Sequence, residues 1–152
     1  MNRIFLVCLL SAFSQFLIAQ SDTLAWFTNF EEAKTAAIEN EENMLMVFAG
    51  SDWCKPCIQF KKDVLHSADF QAKMKDEVVI LYLDFPARRK NKLSKEQTAH
   101  NEALAEKYNK SGAFPNVILL NENDAILGNP SFNGQTAADF ANELQPLLNV
   151  QK

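Results

Sequence analysis

Met44-Leu45-Met46-Val47-Phe48-Ala49-Gly50-Ser51-Asp52-Trp53-Cys54-Lys55-Pro56-Cys57 is the stretch that decides the fold. Its first six residues form a short, wholly apolar run, which suits a central strand buried on both faces. Gly50 and Ser51 break that run. From Lys55 the pattern turns helical, with Ile58, Phe60, Val64 and Leu65 apolar and Gln59, Lys61, Lys62 and Asp63 between them. Cys54 and Cys57 therefore sit where a buried strand hands over to a helix.

The same alternation continues outward. Upstream, Leu24–Phe27 reads as a short first strand. Thr28-Asn29-Phe30-Glu31 has the capping-box pattern, with Thr28 as the expected cap, and Phe30, Ala33, Ala37 and Ile38 follow at helical spacing, predicting a helix over about 29–40. Downstream, Ser67 interrupts or re-caps the helix, and Phe70 and Met74 continue its inner face. Residues 78–85 form a second apolar run rich in β-branched side chains, expected to be another buried strand. Pro86 to Leu93 is a loop carrying Arg88, Arg89, Lys90 and Lys92. It reads as a solvated connection, with a docking patch for an acidic partner as the sharper alternative.

Ser94-Lys95-Glu96-Gln97 is a second capping box, opening a helix to about Tyr108, with Gly112 at the exit. Residues 117–120 and 125–127 flank the polar turn Asn121 to Asp124 and predict a hairpin. Thr136 caps a last helix with Phe140, Leu144, Leu147 and Leu148 inward, and Pro146 is expected to bend or shorten its end. The order predicts an α/β domain, a central mixed sheet with helices on both faces and the antiparallel hairpin at one edge.

Residues 1–19 read as a secretory signal, with Arg3 in the positive segment, an apolar stretch from Ile4 to Ile18, and a cut near Ala19/Gln20. An uncleaved anchor is the alternative, but Ser11, Ser14 and Gln15 leave the apolar part short of the ~18 residues a spanning helix needs. Cys8 lacks the preceding small residue that a lipoprotein cut requires. Residues 20–152 then make one ordinary domain. The formal charge of −4 becomes −5 without Arg3, which suits a soluble protein, expected to be a monomer, and argues against a broad nucleic-acid surface.

Cleavage would leave two of the three cysteines, Cys54 and Cys57, in a compartment where disulfides persist. A bridge across three residues removes little chain entropy, so a structural staple is a poor explanation. A dithiol–disulfide couple explains the pair better. Cys54 falls at the helix start, where free N–H groups and the dipole stabilise a thiolate, and Lys55 adds a cation. Pro56 fits an early helical position. Cys57 lies one turn on and further from solvent, so Cys54 is expected to attack and Cys57 to resolve. A zinc site would need two more ligands, and only His66 and His100 are available, both expected on helix surfaces. No metal or other cofactor is therefore expected, although a thiolate pair also suits copper(I).

With these features in place the chain resembles the thioredoxin superfamily over roughly residues 24–149. The resemblance rests on the strand before the motif, on Trp53-Cys54-Lys55-Pro56-Cys57, and on Phe114-Pro115 before a later strand. Gly50-Ser51-Asp52-Trp53-Cys54 and Asp84-Phe85-Pro86 look like an exported, bacterial thioredoxin-like subgroup. On the residues alone Pro115 reads as a trans turn proline after Gly112. The resemblance instead implies a cis Pro115 facing the cysteines, with Trp53 and Phe114 walling a groove in which a substrate segment pairs as an added strand.

What the resemblance implies is an exported, periplasmic thiol–disulfide oxidoreductase. It would reduce cysteine-containing exported proteins and be recharged by a membrane electron donor. A disulfide oxidase or isomerase, a copper(I) carrier and a substrate-binding module are the alternatives. One departure stands out: thioredoxins usually carry a buried aspartate six residues before the first motif cysteine, and here Phe48 occupies that position. Cys57 is thus expected to lack an internal base.

Overall fold

The computed structural model describes residues 23–149. The expected signal segment, its cut near Ala19/Gln20 and Cys8 lie outside the described residues. Five strands, β1 (Trp26–Phe27), β2 (Asn43–Ala49), β3 (Val78–Asp84), β4 (Asn116–Leu120) and β5 (Ile126–Gly128), form one sheet in the order β1-β3-β2-β4-β5. β2 pairs in parallel with β3, Leu45 opposite Ile80, and antiparallel with β4, Val47 opposite Val117. β4 and β5 form the edge hairpin that the polar turn predicts.

The apolar run of β2 is buried on both sides because successive side chains point to opposite faces. Leu45, Val47 and Ala49 join Ile80, Tyr82, Val117 and Leu119 in one core, and Met44, Met46 and Phe48 join Leu81, Leu83 and Ile118 in the other. Helices α1 (Phe30–Asn40) and α4 (Lys95–Tyr108) cover the second face, through Ala33 and Ala37 and through Leu104, Ala105 and Tyr108. Helices α2 (Lys55–Gln59), α3 (Ala68–Met74) and α5 (Ala137–Leu148) cover the first, through Cys57, Phe70, Phe140 and Leu144.

The structure changes four local expectations. The cap of α1 is Asn29, whose Oδ1 accepts from the N–H groups of Glu31 and Glu32, while the Thr28 carbonyl accepts from Gln97 Nε2. The helix after the cysteines continues as a π-helical segment over Phe60–Leu65 before Ser67 re-caps α3. Its wider turn carries Phe60, Val64 and Leu65 all into the core. Helix α5 runs through Pro146 and ends two residues later at Leu148, without the bond that an N–H at position 146 would have given the Asn142 carbonyl.

His66 stays exposed at a helix end, as expected, and half-buried His100 is the fourth change. His66 closes the π segment and stacks on Trp26 at 4.7 Å. His100 is part of a network between helices: its Nε2 accepts from the Phe30 N–H, and its Nδ1 lies 3.0 Å from Asn101 Oδ1. Its task is to join α4 to the start of α1.

Phe140 packs on Phe60 and Phe70 and is fully buried. Phe140→Ala should lower unfolding free energy by about 3–5 kcal/mol. Urea denaturation is expected to show a lower midpoint at unchanged slope. A loss below about 1 kcal/mol would mean that this ring does not hold α5 to the cysteine-bearing face.

Candidate active site

The chain reaches the site through a clamp at the end of the central strands. Ala49, the last residue of β2, pairs with Asp84, the last of β3. The Asp84 carboxylate accepts from Ser51 N at 2.8 Å and from Ser51 Oγ at 2.6 Å, and the Phe85 N–H donates to the Ala49 carbonyl. These bonds fix the direction in which the chain leaves the sheet. Gly50 follows because a Cβ there would collide with the Trp53 indole.

The next two residues are held as firmly. Trp53 Nε1 donates to the Phe85 carbonyl at 2.8 Å while the residue stays about half exposed. The Asp52 carboxylate accepts from Ala87 N at 2.9 Å, Arg88 N at 3.0 Å and Asn91 Nδ2 at 2.8 Å. Residual burial raises the Asp52 carboxyl, but these hydrogen bonds and the Arg88 charge outweigh it and hold the group below its ordinary range. The basic segment is thereby pinned beside the motif, with a single 3₁₀ turn at Arg89–Asn91.

Cys54 is the N-cap of α2, in extended backbone, and Pro56 sits in the first turn. Cys54 and Cys57 form a disulfide, with Cα atoms 5.2 Å apart. The Cys57 N–H points at Cys54 Sγ, 3.3 Å away. That N–H is one of the free donors of a helix start, and it is aimed at the sulfur that would carry negative charge in the reduced pair. Cys57 is 1% exposed and Cys54 5%, so a partner meets Cys54 first. Lys55 is exposed between them.

Phe114 packs edge-on against Trp53 and against Phe85, both at 5.4 Å between ring centres. The Phe114–Pro115 peptide is cis. The loop that delivers it is organised by buried Asn109, whose side chain donates to the Ala113 carbonyl and accepts from the Ala113 N–H. Trp53, Phe85 and Phe114 thus make one aromatic wall beside the cysteines, and Phe114 touches both cores.

Phe48 is fully buried, and its alternation places it in the core opposite the cysteines, where it meets Phe85. Among the described residues the buried polar side chains are Asn101, Asn109 and Asn121, none of them a carboxylate. The residues that sequence reasoning left without a task are Ser51, Asp52, Asp84 and Phe85. They lay in the segments Gly50-Ser51-Asp52 and Asp84-Phe85-Pro86, but their pairing joins residues more than thirty positions apart and has no local pattern.

A thioredoxin-like family model matches residues 25–121, and the chain belongs to that family. It is 30% identical over 125 residues to a thioredoxin-related protein, DsbJ, of Chlamydia pneumoniae, a match covering 82% of this chain and 35% of the relative. It is 25% identical over 128 residues to the disulfide bond reductase DsbH of the same organism, covering 84% of this chain and 75% of the relative. The chain thus spans about a third of the first relative and three quarters of the second. A solved DsbH oxidoreductase superposes with a TM-score of 0.76 at 23% identity, covering 91% of this chain and 94% of that one, which shows the shared fold.

The Asp52 bonds give a pH-dependent test. A carboxyl held below its unfolded value, near 3.8, contributes order to the segment above that pH and loses it as pH falls through the lower folded value. Asp52→Ala should speed hydrogen exchange at the Ala87 and Arg88 amides roughly tenfold at neutral pH, the scale of one lost charge-assisted bond. The wild type should approach the variant only in strong acid. Equal exchange at neutral pH would show that the carboxylate does not hold the loop.

Proposed function

We propose that this chain is an exported thiol–disulfide oxidoreductase that reduces disulfides of other exported proteins. The observation that carries the reading is the Cys54–Cys57 disulfide at a helix start, under an aromatic wall and beside the Phe114–Pro115 peptide. The name of the second relative, a disulfide bond reductase, supports the direction.

In the reduced protein the Cys54 thiolate attacks a substrate disulfide. A Cys54–substrate bond forms, the substrate bond breaks, and one substrate sulfur leaves as a thiolate that takes up a proton. Cys57 then loses its proton and attacks Cys54 Sγ, forming the internal disulfide and releasing the second substrate thiol. Two electrons pass to the substrate, and a membrane electron donor must return them. Trp53 and Phe114 line the substrate groove, Pro115 offers the backbone edge, and Lys55 and Pro56 tune the Cys54 thiolate. The domain acts as a monomer and needs no further cofactor.

Reduction of insulin disulfides by a suitable thiol donor should require both cysteines. Cys54→Ser should abolish turnover, and Cys57→Ser should accumulate a mixed disulfide detectable by mass. The potential is expected between roughly −270 and −180 mV, the thioredoxin and disulfide-isomerase benchmarks. A value near −120 mV, that of a strong oxidant, would overturn the reducing direction.

The resolving step gives a separate test. Cys57 is buried with no buried carboxylate among the described residues to take its proton. Stopped-flow resolution of a preformed mixed disulfide should accelerate from pH 6 to 9, approaching tenfold per unit where hydroxide or exposed thiolate supply limits the rate. A fast, pH-independent step would show that another group serves as the base.

A further inference from the structure

The four cations of the segment after β3, Arg88, Arg89, Lys90 and Lys92, are all exposed. They stand out on a chain whose formal charge is −4. Among the described residues none of them forms an ion pair within 4 Å. Arg88 alone is partly balanced, through the field of Asp52. A run of cations is often no more than a solvated loop, but this one is fixed in place.

Three hydrogen bonds from the segment end on the Asp52 carboxylate, and the Phe85 carbonyl just before it holds the Trp53 indole. Asp52 is two residues from Cys54, so their Cα atoms are at most about 7 Å apart. The positive patch is thus tied to the rim of the reacting pair. A polypeptide that brings a disulfide to Cys54 comes close to this tied segment and its exposed cations.

We infer that Arg88, Arg89, Lys90 and Lys92 form an electrostatic docking surface for an acidic protein partner that exchanges disulfides with Cys54. The inference rests on the proposed oxidoreductase activity and adds a selectivity to it. Opposite charge near the reacting sulfur raises the rate of encounter, and like charge lowers it, by tenfold or more at low ionic strength. A lipid surface is the less suitable occupant. From Ala87 to Lys92 the segment carries no apolar side chain larger than alanine to enter a bilayer, and it adjoins the sulfur that only a reacting partner needs to reach.

The test uses the reduced protein and three synthetic disulfide peptides of equal length, with the disulfide flanked by acidic, uncharged or basic residues. Stopped-flow rates of attack are measured from low to high ionic strength. The acidic peptide should react about tenfold faster than the basic one at low salt, and the difference should shrink as salt screens it. The Arg89→Glu/Lys90→Glu variant changes exposed side chains only. It should erase or invert the preference while reacting with the uncharged peptide at the wild-type rate.

A preference that survives in the variant would overturn the inference and move the effect to Lys55. Reaction with all three peptides at one rate would overturn the docking surface while leaving the activity intact. Reaction with none would overturn the activity itself. Sedimentation with phosphatidylglycerol vesicles gives the last arm. Vesicle binding lost in the variant, with peptide rates unchanged, would assign the patch to an anionic membrane and overturn the protein partner.

Discussion

Everything at the site depends on the complete burial of β2. Each side chain from Met44 to Ala49 is at most 2% exposed, and alternate residues serve two separate cores. A one-residue slip of this strand would exchange the two sets of side chains and disrupt both cores at once. Its register against β3 and β4 is therefore fixed, and so is the point where its backbone ends. Cys54 inherits that precision, because only Gly50 to Trp53 separate it from the strand.

Those four residues form little regular structure of their own, yet each has a defined anchor. Asp84 clamps Ser51, Asp52 gathers the segment after β3, Trp53 is tethered to Phe85, and Gly50 leaves room for the indole. The connection also reaches further. Asp84 offers its carbonyl to buried Asn101, which lies against His100, and His100 accepts the Phe30 N–H at the start of α1. The oxidised pair thus rests on a polar scaffold linking the ends of two strands to two helices. Among these groups the buried Asn101 amide finds its partner in the Asp84 carbonyl.

The sequence made the frame legible wherever the signal was periodic. The runs at Met44–Ala49 and Val78–Phe85 announced buried strands, and the caps at Ser67, Ser94 and Thr136 took the positions expected of them. Thr28 and Asn29 are both good caps standing side by side, and local pattern does not choose between them; the tertiary bond from Gln97 to the Thr28 carbonyl accompanies the choice of Asn29. The cysteines were visible as a pair, and the family resemblance implied Trp53 and Phe114 as groove walls, but the share of Phe85 in that wall and the Asp52 anchor were not visible. Each joins loop residues from different crossovers, and such contacts leave no period in the chain.

Phe48 shows how the sheet limits the chemistry. It belongs to the face away from the cysteines and is packed without exposure against Phe85, Leu83 and their neighbours. A carboxylate placed there would lose an aromatic ring from the core and bury a charge among apolar side chains, at a cost of several kcal/mol. The chain therefore cannot acquire an internal base at that position without giving up packing that its central strand requires. Cys54 is the less buried residue of the pair, at 5% exposed against 1% for Cys57. A substrate held at Cys54 would cover that residue at the moment when Cys57 must resolve the mixed disulfide.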